Sequence, residues 1–251
     1  MTPLPHGIAL NGLTVHRGQR LVLDDASLTA GPGEFIGLIG ANGAGKTTLL
    51  RAALGLLASR GSSNLAALPA ARRALAAAWI PQGREIAWPV TVEDLISLGR
   101  IPHSRPDADR AQVEAAISRL GLGDLRSRPV TQLSGGEAAR VLIARALAQD
   151  TPILLADEPV AGLDPAHQIG AMQLFHDLAT EGRCVVVSLH DLGLAVRHCT
   201  RLVLLDKGRV AADGAPAAVL SPQNLARCFG IQGYFAQTPE GPIFQPTVVL
   251  R

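Results

Sequence analysis

The residues with the clearest chemical signal are nine consecutive positions, 40–48, which read Gly-Ala-Asn-Gly-Ala-Gly-Lys-Thr-Thr. They match the pattern G-x-x-x-x-G-K-[ST] of a phosphate-binding loop. The mostly apolar residues 34–39 predict a buried strand before the loop, and residues 49–54 predict the start of a helix after it, as the motif requires. Glycines let the backbone curl so that successive N–H groups point at phosphate oxygens. We therefore expect this loop to bind a nucleotide.

Two side chains of the loop have distinct expected roles. Lys46 reaches the β- and γ-phosphates, and the Thr47 hydroxyl ligates Mg²⁺. Lys46 and Lys207 are the only lysines of the chain, since arginine supplies the remaining positive charge. A compact ammonium suits a phosphate contact inside a tight loop. The other nucleotide contacts expected in the loop come from Asn42, Gly43, Ala44, Gly45 and Thr48.

A second chemical signal is the pair of acids Asp157 and Glu158, which follows the apolar run Ile-Leu-Leu-Ala at 153–156. Such a run predicts a fully buried parallel strand, and parallel sheets bind ligands at the carboxyl ends of their strands. In that position Asp157 would hold Mg²⁺ through water, and Glu158 would deprotonate the attacking water. The alternative is an ordinary acidic helix start without a catalytic role.

Three further polar sites are less specific when each is taken alone. Ser134, Gly135, Gly136 and Glu137 predict a helix N-terminus with a Ser–Glu capping box, and the same N–H groups can cradle an anion. Gln82 follows a short predicted strand and His190 follows the apolar run 185–189. Either residue is by itself as ordinary at a strand end as it is functional.

Composition narrows the class of protein. The 251 residues and a net charge of +2 suit one large domain and argue against a dedicated nucleic-acid binder. Three cysteines without metal-site spacing suit a reducing cytosol. There is no signal-peptide pattern, and no apolar run approaches the ~20 residues of a membrane span. Work at a membrane would therefore require a partner protein.

The order of predicted elements indicates an α/β fold. A strand pair with a turn at 17–19 precedes the phosphate loop, and strands alternate with helices from 153 to 210, which predicts a parallel sheet covered by helices. The intervening helical periodicity predicts an inserted helical subdomain at 84–149, so that 1–83 and 150–220 form the core. Residues 57–69 are expected to be a loop, and residues 221–251 a loose C-terminal tail.

The order and spacing of these motifs resemble those of the ATP-binding subunits of ABC transporters, over nearly the whole chain. That resemblance implies a P-loop NTPase core, with a parallel and a small antiparallel sheet, plus the helical subdomain. It also implies a homodimer that sandwiches two ATP, in which Ser134 to Glu137 of one subunit contact the γ-phosphate held by the other. Gln82 would ligate Mg²⁺, Asp164 would link the two sites, and His190 would contact the γ-phosphate.

Two stretches resemble the importer branch of that family for iron-siderophore, haem and cobalamin: residues 91–103, TVEDLISLGRIPH, and residues 163–168, LDPAHQ. Residues 219–225 and 229–231 also resemble that branch. The resemblance implies docking on integral-membrane permease subunits at the cytoplasmic face of the inner membrane, with a periplasmic binding protein as an indirect partner. It does not identify the cargo. A soluble ABC-type ATPase of iron–sulfur assembly is the alternative.

The chain departs from the family at the residue that stacks on adenine. An aromatic residue is usual there, whereas this chain has Arg17, beside His16. A guanidinium can also lie flat on a base, so Arg17 is the expected adenine contact, unless the position makes no contact at all. The segment 61–68 is short, which predicts a reduced antiparallel sheet.

Overall fold

A computed structural model describes residues 3–83, 86, 88–103 and 106–250 of the chain. Its strands are β1 (Ile8–Arg17), β2 (Arg20–Ala30), β3 (Phe35–Ile39), β4 (Arg60–Ser63), β5 (Ala77–Ile80), β6 (Ile153–Asp157), β7 (Cys184–Ser188), β8 (Arg201–Asp206), β9 (Arg209–Gly214), β10 (Ile231–Thr238) and β11 (Gly241–Val249). Its α-helices are α1 (Lys46–Ala53), α2 (Ala70–Ala76), α3 (Val92–Ser97), α4 (Pro106–Arg119), α5 (Gly135–Ala148), α6 (Pro165–Thr180), α7 (Leu192–His198), α8 (Pro216–Val219) and α9 (Pro222–Asn224). Short 3-10 helices cover Leu98–Arg100, Gly123–Leu125 and Val130–Gln132, and a π-helical turn covers Leu225–Phe229.

The core is a six-stranded sheet with the order β5-β6-β7-β3-β8-β9. All neighbours pair in parallel except β8 and β9. Every residue of β3, β6 and β7 is buried, as expected for strands that are covered by helices on both faces. The predicted α/β class with a mostly parallel sheet is confirmed, and the loops at the carboxyl ends of these strands share one edge.

A smaller antiparallel sheet, with the order β2-β1-β4, lies beside the core. The sequence pattern predicts only a loop at 57–69, so β4 is a correction. Its residues are Arg-Gly-Ser-Ser and have no apolar alternation to detect; pairing with β1, such as Ser63 opposite Leu10, is what defines the strand. A Cβ on Gly61 would lie 2.4 Å from the Gly12 carbonyl oxygen, so the two backbones approach too closely for a larger residue.

The helical segment contains α3, α4 and α5; its expected start at position 84 lies outside the described residues. Thr91 caps α3 in a capping box with Asp94. Arg100 donates to the Ala148 carbonyl oxygen at 2.7 Å, and a ring nitrogen of His103 lies 2.7 Å from the carbonyl oxygen of Gln149. The stretch 91–103 thus holds the C-terminus of α5, the helix that begins after Ser134.

The C-terminal segment is ordered, which corrects the expected loose tail. After α9 and the π-helical turn, β10 and β11 form an antiparallel hairpin that contacts α7. Phe244 is buried, and a Cβ on Gly233 would lie 2.5 Å from the Phe244 ring, so the glycine makes room for the aromatic side chain. Prolines and glycines interrupt the strand pattern of this segment, which is why the sequence suggests a coil.

The three cysteines, Cys184, Cys199 and Cys228, are buried and unpaired. Burial raises the pKa of the Cys184 thiol to about 12. Such thiols are inert structural groups, as expected for Cys184 from its apolar neighbours. Within the described residues, no helix has the length and hydropathy needed to cross a bilayer.

Candidate nucleotide-binding site

The phosphate loop connects β3 to α1 at the carboxyl edge of the parallel sheet. Gly40 and Gly45 have positive φ values of 151° and 110°. A Cβ on Gly40 would lie 2.4 Å from the Leu205 carbonyl oxygen, and one on Gly45 would lie 2.8 Å from a methyl carbon of Leu23. The loop is therefore packed against β2 and β8, and its curvature depends on these two glycines.

Lys46 is the first residue of α1, and its side chain is buried. Its ammonium donates to the Gly40 carbonyl oxygen at 2.8 Å and approaches the Ala41 carbonyl oxygen at 3.5 Å. Burial lowers the pKa of Lys46, while the negative charges of Glu158 and Asp157 act in the opposite direction. The loop thus holds a cation next to backbone N–H groups and opposite two carboxylates, as binding a polyphosphate–metal complex requires.

Asp157 ends β6 and is completely buried. Its Oδ1 accepts a hydrogen bond from the Ser188 hydroxyl at 2.7 Å, and that hydroxyl accepts one from the Glu158 N–H at 2.9 Å. Asp157 Oδ2 has no partner among the described residues. An unsatisfied buried carboxylate oxygen is unfavourable, and a divalent cation or its coordinated water would satisfy it.

Glu158 projects from a left-handed backbone conformation, with φ of 50°. Gln82 Nε2 donates to Glu158 Oε2 at 2.9 Å, and His190 Nε2 contacts Glu158 Oε1. These three residues follow β5, β6 and β7, which are neighbours in the sheet. The structure therefore brings together three residues that the sequence places far apart, with the carboxylate held from both sides. Gln82 contacts Glu158 in this structure. Its strand, β5, is farther than β6 and β7 from β3, the strand that leads into the phosphate loop.

An open cleft of about 400 Å³ lies over the loop. Its lining comprises Arg17, Arg20, Val22, Asn42, Gly43, Ala44, Gly45, Lys46, Thr47, Thr48, Glu158 and His190. The cleft thus unites the predicted loop residues with Arg17, Glu158 and His190.

Arg20 and Val22 line the cleft although the sequence motifs do not indicate them. Arg17 pairs directly with Arg20 across the turn of the β1–β2 hairpin. Like charges in such a pair repel each other, and a bound anion would relieve that repulsion. A guanidinium nitrogen of Arg20 lies 3.8 Å from the position of a Cβ on Gly43. The two-residue turn at 18–19, with arginine on both sides, is the signal that could have revealed Arg20.

The residues 134–137 do not line this cleft. Ser134 caps α5: its backbone N–H donates to Glu137 at 2.8 Å, and its hydroxyl accepts from the Glu137 N–H at 3.3 Å. The hydrogen bonds from Ser134 hold the pKa of the Glu137 carboxyl below its usual value. The capping box predicted from the sequence is therefore confirmed, and Ser134 and Gly135 present an exposed helix N-terminus to the surroundings.

Asp164 lies outside the cleft as well and caps α6. Its Oδ1 accepts a hydrogen bond from the His167 N–H at 3.1 Å. The carboxyl is exposed, and hydrogen bonding by His167 lowers its pKa. Neither the α5 nor the α6 N-terminus contributes to the cleft of its own chain.

The family model and the sequence relatives that match this chain indicate the same family. The family model described as ABC transporter matches residues 23–161. The chain is 42% identical over 230 residues to the cobalamin import ATP-binding protein BtuD of Halobacterium salinarum, covering 88% of this chain but only 58% of that protein. It is 40% identical to the hemin import ATP-binding protein HmuV of Pseudomonas aeruginosa, covering 97% of this chain and 100% of the relative.

Solved structures agree with these sequence relatives. A chain described as a metal-chelate type ABC transporter in an inward-facing conformation superposes with a TM-score of 0.83 at 26% identity, covering 96% of this chain and 98% of that chain. A bacterial ABC transporter cassette solved as a dimer superposes with a TM-score of 0.75 at 27% identity, covering 84% and 99% of the two chains.

The position of Arg20 predicts a contribution to nucleotide binding. Arg20→Ala should weaken ATP binding by about 1 kcal/mol, roughly fivefold in Kd, since an exposed charge contact contributes modestly. The loss should be larger for ATP than for AMP, because the side chain lies over Gly43 and not deep in a base pocket. Isothermal titration calorimetry measures both affinities.

Arg60→Ala is the matched control, since Arg60 is an exposed arginine on the same small sheet but outside the cleft. Equal affinities of the Arg20→Ala variant and the wild-type protein for ATP would mean that Arg20 does not contact the nucleotide.

Proposed function

Because the chain belongs to the ABC transporter family, we propose that it is the ATP-binding and ATP-hydrolysing subunit of an importer. The single observation that carries the enzymatic part is Glu158, held between Gln82 and His190 beside the phosphate loop. The names of the relatives support a haem or cobalamin cargo, and an iron-siderophore cargo is supported only by the resemblance of residues 91–103 and 163–168. They favour this function over the iron–sulfur assembly ATPase that the sequence left open.

The donor groups at the sheet edge fit Mg²⁺. Asp157 Oδ2 is buried and lacks a partner among the described residues, and Thr47 lines the cleft. Thr47 and Asp157 would hold the ion, the latter through water, and Gln82 would join them after releasing Glu158. When bound, Mg²⁺ neutralises charge on the β- and γ-phosphate oxygens.

In the proposed hydrolysis, this chain contributes positioning and charge. Lys46 and the loop N–H groups bind the phosphates, and Glu158 accepts the proton of the attacking water. His190 orients the Glu158 carboxylate through the contact at Oε1 and lies in the cleft, where it can reach the γ-phosphate. Arg17 lines the same cleft and would lie on the adenine.

The active assembly is proposed to be a head-to-tail homodimer. One cleft contains the loop and the base but none of the residues 134–137. Ser134 and Gly135 are exposed at the N-terminus of α5, and a helix N-terminus is suited to an anion. A second copy can supply them, so that Ser134, Gly135, Gly136 and Glu137 complete the site of the partner. Asp164, at the other exposed helix N-terminus, would link the two sites. The dimeric cassette among the structural relatives supports this arrangement.

The proposed docking site for the permease is an apolar groove of about 440 Å³ between the core and the helical segment. Leu56 from the core and Leu98 and Ile101 from the helical segment border it, and they are 53%, 44% and 72% exposed. Arg73 and Arg145 also line it. The apolar border and the two arginines fit an amphipathic cytoplasmic segment of the permease that carries an acidic side chain.

A short stretch of backbone connects the groove to the catalytic site. Trp79 of β5 lines the groove, and Gln82 follows at the end of the same strand and donates to Glu158. Movement of a docked segment can therefore displace the catalytic carboxylate through three residues of backbone.

The subunit would work at the cytoplasmic face of the inner membrane, held there by the permease, with the periplasmic binding protein as an indirect partner.

The role of Glu158 predicts the behaviour of Glu158→Gln. This variant keeps size and hydrogen-bonding reach but cannot take a proton, so hydrolysis should fall by ~10²–10⁴. Nucleotide binding should persist, because Lys46 and the loop are unchanged. The variant should accumulate as an ATP-bound dimer, visible by size-exclusion chromatography with Mg-ATP. Wild-type turnover would assign the base to another residue, and an inactive but monomeric ATP complex would contradict the sandwich.

The groove predicts a separate effect of Ile101→Glu. A charge in the apolar groove should reduce binding of the purified subunit to inner-membrane vesicles of the native organism at least tenfold, while ATP binding in solution stays unchanged. Val249→Glu is the control, since Val249 is 76% exposed on the C-terminal hairpin and does not line the groove. Equal vesicle binding by both variants would exclude this groove as the docking site.

A further inference from the structure

The loop between Glu158 and Asp164 joins the proposed base to the first turn of α6. Two turns shape it: the Ala161 N–H donates to the Glu158 carbonyl oxygen at 3.2 Å, and the Leu163 N–H donates to the Val160 carbonyl oxygen at 3.3 Å. Any displacement of this loop would move the Glu158 carboxylate at one end and the Asp164 carboxylate at the other. Side chains that fix the position of this loop therefore affect the positions of both carboxylates.

His167 engages both oxygens of Asp164. Its backbone N–H makes the ordinary capping contact with Oδ1, and its ring Nδ1 lies 2.5 Å from Oδ2. A helix cap needs only the backbone contact. The ring contact is additional, and it fixes the rotamer of the Asp164 side chain at the end of the loop.

Gln168, the next residue, holds the middle of the same loop. Its Nε2 donates to the Val160 carbonyl oxygen at 3.3 Å. Gln168 also lines a small cavity of about 140 Å³ that is bordered by Glu158, Ser188 and His190. Gln168 thus contacts the loop 158–164 and borders a cavity next to Glu158, but it does not line the nucleotide cleft.

We propose that His167 and Gln168 form a brace that sets the position of Glu158 and Asp164, and that both are positioning residues for hydrolysis. The inference rests on the proposed function, since it assumes that Glu158 is the base. It also gives a physical role to the pair His-Gln at 167–168, for which the sequence motifs alone indicate none. Either side chain acts through the loop and not by contact with the nucleotide.

The expected signature is a change in rate with little change in stability. Both residues are half-exposed, and exposed polar pairs contribute little to the free energy of folding. A misplacement of a reacting group by ~1 Å can nevertheless cost ~10²-fold in rate. A mere capping role predicts no change in rate or stability for His167→Ala, because this replacement leaves the backbone N–H that caps the helix in place.

The test compares His167→Ala, Gln168→Ala and Gln168→Glu with wild type. Gln168→Glu keeps the shape of the side chain but loses the amide donor. The control is Gln173→Ala, since Gln173 is an exposed glutamine of the same helix that donates to Asp177. Single-turnover hydrolysis of pre-bound Mg-ATP, the Kd of ATP and the melting temperature are measured for each purified variant.

We expect the hydrolysis rate to fall about tenfold in the three brace variants, less than the ~10²–10⁴ for loss of the base. The Kd should stay within twofold, and Gln173→Ala should match wild type. His167→Gln, which can still donate to Asp164, should recover part of the rate. In a Glu158→Gln background, Gln168→Glu should cause no further loss, because it acts through the base.

Wild-type rates in His167→Ala and Gln168→Glu would overturn the brace, as would a loss that remains additive in the Glu158→Gln background. A rate loss accompanied by an equal loss in Gln173→Ala would also overturn it, since the effect would then be general to α6. Failure of the proposed function looks different: Glu158→Gln itself would then hydrolyse ATP at the wild-type rate, whatever the brace variants do.

Discussion

A buried ammonium opposite two carboxylates is the interaction on which the remaining structure depends. Lys46 is bound to carbonyl oxygens of its own loop, and Asp157 and Glu158 raise its pKa against the effect of burial. This arrangement requires a loop whose curvature depends on Gly40 and Gly45, and a sheet edge where β3 and β6 end on either side of β7. The parallel sheet and the helices that cover it supply that edge. The charges of the ammonium and the two carboxylates, together with the loop N–H groups, favour binding of a polyphosphate with a divalent cation.

The same sheet connects the site to the two surfaces where partners are proposed to act. Adjacent strands β5, β6 and β7 lead to Gln82, Glu158 and His190, so the Glu158 carboxylate receives contacts from residues at the ends of both neighbouring strands. β5 also forms part of the apolar groove, and the loop after Glu158 leads to the exposed cap of α6. A movement at the groove or at the α6 N-terminus would thus change the position of the Glu158 carboxylate. In this way transport and hydrolysis are proposed to be coupled.

The sequence was most informative where the chemistry is local. The phosphate loop, the capping box at Ser134 and the buried strand before Asp157 are each encoded in a few consecutive residues, so residue type and spacing suffice to predict them. Arg20 was missed because its position follows from pairing across the β1–β2 turn. The polar strand β4 and the proline-containing hairpin β10–β11 were missed because partner strands and the packing of Phe244 define them, and neither is visible in a local pattern.

The most direct test of this account is the affinity of Lys46→Ala for ATP, with Lys207→Ala as control. The chain has no third lysine, and Lys207 is exposed in the turn after β8, so the pair separates loss of the loop cation from loss of a positive charge in general. Isothermal titration calorimetry of the folded variants, with and without Mg²⁺, should detect no saturable ATP binding by Lys46→Ala and wild-type affinity for Lys207→Ala. Wild-type affinity in Lys46→Ala would contradict the central role of the buried ammonium.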